Sequence, residues 1–248
     1  MPFYKSRHIQ SYGVMLIEDP IAVKSPIISV IVITYNQEGF IEQCIESILS
    51  QKLNVPFEIV IADDDSKDAT RDILKRYQNQ NPQIIRLLLQ ETNQGISKNY
   101  SDVLSLARGK YIAQVAGDDF WCNEEKLQIQ YNYMSEHPNC GLCYTNVKAA
   151  DASGKIVNED YLKDKPLSKS FEDHLISPGF IAPLSWMFLS DVAHMYEDRG
   201  FADESVAIAL DAFANYDVAH LEVCTAVYRM HGNSVSSFIS AEYYFRQS

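Results

Sequence analysis

Long apolar runs are missing from this chain. No stretch approaches the roughly 18 uninterrupted apolar residues that a membrane-spanning helix needs. The opening MPFYKSRHIQ also lacks the apolar centre of a signal peptide. The expectation is a soluble, cytoplasmic chain with no integral membrane segment, leaving room only for peripheral attachment at the inner face of a membrane. Basic charge is scarce as well: 21 lysines and arginines face 33 aspartates and glutamates, a net charge of −12. That balance argues against nucleic acid as a partner, which calls for a basic footprint, and against a polybasic patch for anionic lipid. It still permits a diphosphate to be held through a bridging divalent cation. Cysteine is sparse and odd in number, five in all, which does not make a disulfide framework. Cys140 and Cys143 form a C-x-x-C inside the strand-like CGLCYTNV with no second pair nearby. Two thiols of a strand is the simpler reading; zinc or redox chemistry is the alternative. Repeats, linkers and low-complexity tracts are absent, so 1–248 reads as one domain.

What is present is an alternation. PIISVIVITYN is β-branched and almost wholly apolar, as a strand buried on both faces should be. In EGFIEQCIESILSQ, Phe40, Ile41, Cys44, Ile45, Ile48 and Leu49 recur at helical spacing. Further strands follow at FEIVIAD, IIRLLL, KYIAQVA and CGLCYTNV. The helices between them cover Ser66 to Tyr77, the segment around Tyr100 to Ala107, and Leu127 to Met134. Gly109 is read as a helix stop. The pattern predicts an α/β fold with a mostly parallel sheet covered by helices on both faces. Ligands of such sheets sit beyond the carboxyl ends of the strands. After about residue 150 the pattern loosens. DASGKIVN reads as a turn or hairpin, FEDHLIS as a short helix, and SPGFIAPLSWMFL as a loop running into a strand. Ser205 to Tyr216 reads as a buried helix, and VCTAVYRMHGNS as a strand with a polar loop. The first 25 residues carry no readable role.

Two acidic clusters fall just after strands. Asp63-Asp64-Asp65-Ser66 ends the second strand. Three adjacent carboxylates repel, so something must offset them; Asp65 or Ser66 could cap the next helix, which leaves the others to accept hydrogen bonds from a base or ribose. Gly117-Asp118-Asp119 ends the fourth strand. Paired carboxylates on such a turn suit Mg²⁺ or Mn²⁺, and Gly117 lets backbone and phosphate approach closely. An Asp-rich turn with a helix cap is the plainer alternative.

Taken together, SVIVITYNQEGFIEQCIESILSQ, FEIVIADDDSKDAT and ETNQGISKNYSDVLSLARGKYIAQVAGDDFW resemble the family 2 glycosyltransferases. The resemblance is strong from Ser25 to Val147 and weaker on to VYRMHGNSVS. It implies a GT-A type, Rossmann-like fold with a nucleotide-sugar-binding half at about 26–147 and an acceptor-side elaboration at about 148–248. It implies an inverting enzyme that moves a sugar from a nucleotide donor, UDP-sugar first among candidates, to a hydroxyl of a glycan or lipid-linked saccharide in bacterial surface glycan synthesis. Thr34, Tyr35, Asn36 and Glu38 then lie against the nucleotide, Asp63 and Asp64 at the base with Asp65 beside them on the donor side, and Asn93, Gly95 and Lys98 near the donor. Gly117 and Asp118 meet the sugar nucleotide. Asp118, Asp119 and His231 are the metal candidates for Mn²⁺ or Mg²⁺. Asp203, with Glu204 as the close alternative, falls at the position of the catalytic base; first-turn acids favoured by the helix dipole are the alternative reading. Trp121 and Trp186 are weighed between an acceptor site and core packing. Two departures stand out: Asp65 where the family has glycine, and Ala116 where it has an acid. A sugar nucleotidyltransferase is the rival enzyme, but TYNQEGF lacks its Gly-rich basic loop. A non-catalytic sugar- or nucleotide-binding relative is the other rival, and Ala116 speaks for it.

Overall fold

The computed structural model describes residues 7–11, 13–19, 22–163, 172, 181–196 and 204–232. Its centre is a run of parallel strands. β1 (Arg7–Ser11) and β2 (Val14–Glu18) come first, then β3 (Ile28–Thr34), β4 (Phe57–Asp63), β5 (Ile85–Gln90) and β6 (Tyr111–Ala116). Between them lie helices α1 (Ile41–Leu49), α2 (Thr70–Gln80) and α3 (Ile96–Leu106). β5, β4, β3 and β6 pair in parallel in that order. Val30, Val32, Ile59, Ile61 and Leu87 are fully buried, because helices cover both faces of a parallel sheet.

The second half extends the sheet past β6. β7 (Phe120–Trp121), α4 (Lys126–Glu136), β8 (Cys140–Ala150), β9 (Ile156–Asn158), β10 (Met187–Leu189), α5 (Ser190–Met195), α6 (Glu204–Asn215) and β11 (Asp217–Arg229) follow. β10 sits antiparallel between β6 and β8, β11 runs parallel to β8, and β7 pairs antiparallel with β11. The hairpin expected at DASGKIVN is β8 turning into β9. At the other edge the early residues acquire a role: β2 pairs antiparallel with β5, and β1 with β2. The short helix expected at FEDHLIS lies outside the described residues, apart from its position 172. Among the described residues no helix is long and apolar enough to cross a membrane.

The two ends of the parallel strands do different work. At the amino ends, buried Arg86 pairs with Glu58 at 3.0 Å and Glu18 at 2.9 Å, and donates to the Leu106 carbonyl. Ser29 Oγ donates to Glu58, which also accepts the Arg108 backbone N–H. This satisfied network ties β2, β3, β4 and β5 to the end of α3, as a buried charge requires. Gly109 belongs to the same corner. α3 has already ended at Leu106, and a Cβ on Gly109 would lie 2.5 Å from the Ser29 backbone nitrogen. Glycine is needed there for close approach to β3, not to stop the helix. The carboxyl ends are left for the site.

Behind β7, Lys126 is fully buried with no carboxylate against it among the described residues. Its ammonium meets Gln130 Oε1, lies 4.5 Å from the Trp121 ring centroid and 3.4 Å from the Trp186 carbonyl. Burial pulls its pKa down to about 7. The unfolded chain therefore holds more protons between that value and the ordinary lysine value, so stability rises with pH across the window. Lys126→Met is expected to stabilise the fold by roughly 1–4 kcal/mol at pH 7. The gain should shrink as pH approaches 10, read by denaturant unfolding of both proteins. A gain that grows with pH would contradict this account.

Candidate active site

The register places Thr34 beside Asp63 and Ile33 beside Ala116. Three strand ends and the loops after them therefore open on one edge. The loop after β3 is braced against the loop after β4. Asn36 adopts a positive φ of 50°; its N–H donates to Ser66 Oγ at 2.8 Å and its Oδ1 accepts the Lys67 N–H at 2.8 Å. Glu38 Oε2 accepts the Ala69 N–H, and Asp68 accepts the Glu38 and Thr70 N–H groups. The start of α2 is thus capped by Glu38 and Asp68 rather than by Asp65 or Ser66. Tyr35, between these braces, is 46% exposed.

The three carboxylates of the second cluster separate by role. Asp64 accepts the backbone N–H groups of Gln94 and Gly95 at 2.7 and 3.0 Å, while Asn93 Nδ2 donates to the Asp64 carbonyl. It folds the loop ahead of α3 onto β4. Asp65 has φ 65°. That left-handed backbone explains the residue type: glycine suits it, and aspartate is among the few others that tolerate it. Lys67 pairs with Asp65 at 2.7 Å. Asp63 is fully buried; its Oδ1 accepts the Ser66 N–H and meets the Arg71 guanidinium. Lys67 and Arg71 supply the positive charge that three adjacent carboxylates demand. Asp63 Oδ2 is buried with no hydrogen-bond partner among the described residues. Lys98, expected near the donor, pairs with Asp102 one helical turn on.

The acidic turn is clamped from across the sheet. A Cβ on Gly117 would lie 2.5 Å from Gln37 Oε1 and 2.9 Å from Thr34 Oγ1. The first loop therefore packs directly on this turn, and a larger residue there would have to displace the ends of the Gln37, Thr34 and Ile41 side chains. Asp119 is buried and accepts the Arg229 backbone N–H at 2.8 Å. Burial and the neighbouring Asp118 carboxylate push its pKa well up, against the pull of Arg229. The Arg229 side chain donates to the carbonyls of Asp118 and Ala152 and to Gln43, between the rings of Phe40 and Phe120 at 5.0 and 5.1 Å. His231 Nε2 lies 2.9 Å from Asp118 Oδ2, with the His231 ring 4.8 Å from that of Phe40. A proton on Nε2 makes the imidazole the donor.

Thr34, Asp63, Gly117, Asp118, Asp119 and His231 thus converge. Trp121 and Trp186 do not join them on an open surface: they are 4% and 1% exposed. Trp121 Nε1 donates to the Leu184 carbonyl, so both rings lie in the packing. Glu204 opens α6, while Asp203 lies outside the described residues. Sequence reasoning missed Arg71, Gln37, Gln43 and Phe40. The demand for positive charge beside three carboxylates could have singled out Arg71 on the following helix; the other three carry no local signal.

A parallel sheet with acidic loops at its carboxyl edge and an antiparallel extension is the GT-A arrangement. Residues 29–193 match the family described as Glycosyl transferase family 2, and the chain belongs to that family. It is 32% identical to an uncharacterised Mycobacterium tuberculosis protein over 213 residues, covering 84% of this chain and 60% of that protein. It is 30% identical over 216 residues to TuaG of Bacillus subtilis, by name a teichuronic acid biosynthesis glycosyltransferase, covering 86% of this chain and 82% of TuaG. The fold is like that of S. aureus TarS residues 1–349 in complex with UDP-GlcNAc, with TM-score 0.69, 22% identity, 88% of this chain and 63% of that one. It is also like the mannosyltransferase PcManGT of Pyrobaculum calidifontis in complex with GDP-Man and Mn²⁺, with TM-score 0.64, 17% identity, 87% of this chain and 60% of that one. This chain therefore spans about three fifths of the length of several of the proteins it matches.

Proposed function

We propose that the chain transfers a sugar, with inversion, from a nucleoside diphosphate donor to a hydroxyl of a surface glycan or lipid-linked saccharide. We propose that it works on the inner side of the membrane. The observation that carries this reading is the Asp118–His231 contact, made between residues 113 apart in sequence at the carboxyl edge of the sheet. A carboxylate and an imidazole are residues that would hold a divalent cation beside the donor's diphosphate. Among the described residues no group of three acids, histidines or cysteines forms a cage that would dispense with the substrate. The crowding of Asp118 on buried Asp119 fits too, because added positive charge relieves it. When bound, Mn²⁺ or Mg²⁺ supplies charge stabilisation to the departing nucleoside diphosphate.

The chain's own residues do the rest. Tyr35 offers a ring to the base, and the orphan Oδ2 of Asp63 accepts an N–H from it, the donor a buried acceptor lacks. Uracil N3–H is one such donor and is compatible with a UDP-sugar, though the other bases also offer N–H groups. Asp64 keeps the Asn93–Gly95 loop closed against the nucleotide side. Arg229 holds Asp118 and Asp119 still, so that His231 and Asp118 meet the diphosphate side together. Asp203 takes the acceptor proton as general base; Asp203→Asn should abolish nearly all turnover while leaving donor binding intact, and full turnover would move the role to Glu204. Ala116 leaves Asp118 and Asp119 as the acids of the turn.

Melting temperature with UDP, GDP, CDP and dTDP, each with and without Mn²⁺, tests the reading. UDP with Mn²⁺ is expected to raise it by roughly 5–10 °C at about 100-fold excess over Kd. No metal-dependent shift with any of the four would sink the enzyme reading in favour of a binding or scaffold role.

A further inference from the structure

The cysteine pair suggested by spacing is not the pair the fold makes reactive. Cys140 and Cys143 lie in β8, both buried. Burial pushes their thiols up to about 11 and about 12, so both stay protonated and inert. Cys44 is buried on the inner face of α1 and likewise raised.

Cys122 and Cys224 are different. Cys122 leaves β7 exposed to solvent, and Cys224 is half-exposed on β11. The antiparallel pairing of β7 with β11 brings them together: Ala226 faces Trp121, and the Cys122 N–H donates to the Thr225 carbonyl at 2.9 Å. The register of β11 against β8 shifts on both sides of Cys224, an irregularity that re-aims side chains. The two thiols lie close enough to influence each other electrostatically, and Cys224 Sγ also reaches the Ala226 carbonyl at 4.0 Å. Lys148, on the neighbouring strand β8, sits near both sulfurs and is itself paired with Glu159 at 2.6 Å. With Cys122 beside it and Lys148 nearby, the Cys224 thiol falls to about 7 while Cys122 rises. One sulfur is therefore a thiolate near neutral pH, and the other is a protonated partner within reach. That is the arrangement of an attacking and a resolving thiol.

We infer that Cys122 and Cys224 form a thiol–disulfide modification site, which a small disulfide of the glutathione class oxidises to an intramolecular bond between the exit of β7 and β11. The Cys224 thiolate attacks one sulfur of the small disulfide, breaks its S–S bond and expels one thiolate, leaving a mixed disulfide on Cys224. Cys122 then loses its proton, attacks the Cys224 sulfur and expels the second thiolate. Two protein thiols are oxidised and one small disulfide is reduced to two thiols, which take up the proton of Cys122 and one from solvent. The bond joins the two segments already held together by the Asp119–Arg229 contact, so the backbone need not open to form it.

The test incubates the full chain in a series of reduced and oxidised glutathione, blocks remaining thiols under native conditions, and maps linked peptides by mass. One cross-link between the Cys122 and Cys224 peptides is expected, with a mass loss of two hydrogens. Cys44, Cys140 and Cys143 should be blocked only after unfolding. Cys122→Ser should stop at a glutathione adduct on Cys224. Cys224→Ser should form an adduct on Cys122 about tenfold more slowly at pH 7, the rate following the thiolate fraction. Both variants should keep the melting temperature of the reduced chain. If a reference dithiol peptide oxidises in the same buffers while this chain keeps all its thiols, or if Cys140 links to Cys143 instead, the inference is overturned. Equal adduct rates in the two variants would overturn the assignment of Cys224 as the attacking sulfur.

Discussion

Asp118→Asn is expected to lower glycosyl transfer about 100- to 1,000-fold, the scale of losing one charge-stabilising group at the reacting centre. The melting temperature without ligand should hold or rise slightly. The reason is electrostatic. Asp118 makes its side-chain contact with His231, and asparagine keeps a polar atom there. Asparagine also removes the like charge that helps push buried Asp119 up, which relieves rather than strains the turn. The two readouts together separate a chemical role from a structural one. Loss of the Mn²⁺-dependent shift with UDP should accompany the loss of turnover, because the same oxygen serves both. A variant that keeps wild-type turnover would remove Asp118 from the site. One that loses turnover and also melts far lower would make it structural.

Arg229→Leu should have the largest effect on stability, roughly 3–5 kcal/mol, the cost of removing one partner from a buried charge cluster. Arg229 is 2% exposed. Its guanidinium satisfies the Asp118 and Ala152 carbonyls and Gln43, and stacks on Phe40 and Phe120. Leucine fills part of the volume and none of those acceptors, and leaves Asp119 without its nearest cation. Denaturant unfolding measures the loss. Turnover should fall as well, since the clamp sets where Asp118 meets His231. A change within about 0.5 kcal/mol, the size of an ordinary surface substitution, would show that the clamp contributes nothing. Lysine restores the charge but not the planar fork, so Arg229→Lys should recover only part of the stability.

The central strands were readable because burial on both faces forces β-branched, almost uninterrupted apolar sequence, as in SVIVIT and FEIVIA. The helices α1 to α4 were readable from their apolar period. β1 and β2 were not, because their order comes from pairing with β5 rather than from a pattern of their own. β7 is two residues long, too short for a period, and only its neighbours in the sheet make it a strand. β10 was legible as the strand into which SPGFIAPLSWMFL runs, but its place antiparallel between β6 and β8 was not. Gly109 was legible as a special residue but not for its reason, since the Ser29 backbone that crowds it belongs to a distant strand.

The site divides in the same way. The sequence by itself determined that acids stand at two strand ends, that a histidine follows the last long strand, and, through the resemblance, which family these belong to. Only the tertiary structure decided what each acid is occupied with. Asp64 is committed to the Gln94 and Gly95 amides, Asp119 to the Arg229 N–H and Asp118 to His231, while Asp63 Oδ2 has no hydrogen-bond partner among the described residues. It also decided that Cys122 meets Cys224 while the adjacent-looking Cys140 and Cys143 are sealed in the core. The physical reason is common to all of these. A carboxylate or a thiol takes its character from burial and from the donors and charges within a few ångströms, and those neighbours come from parts of the chain that only folding brings together.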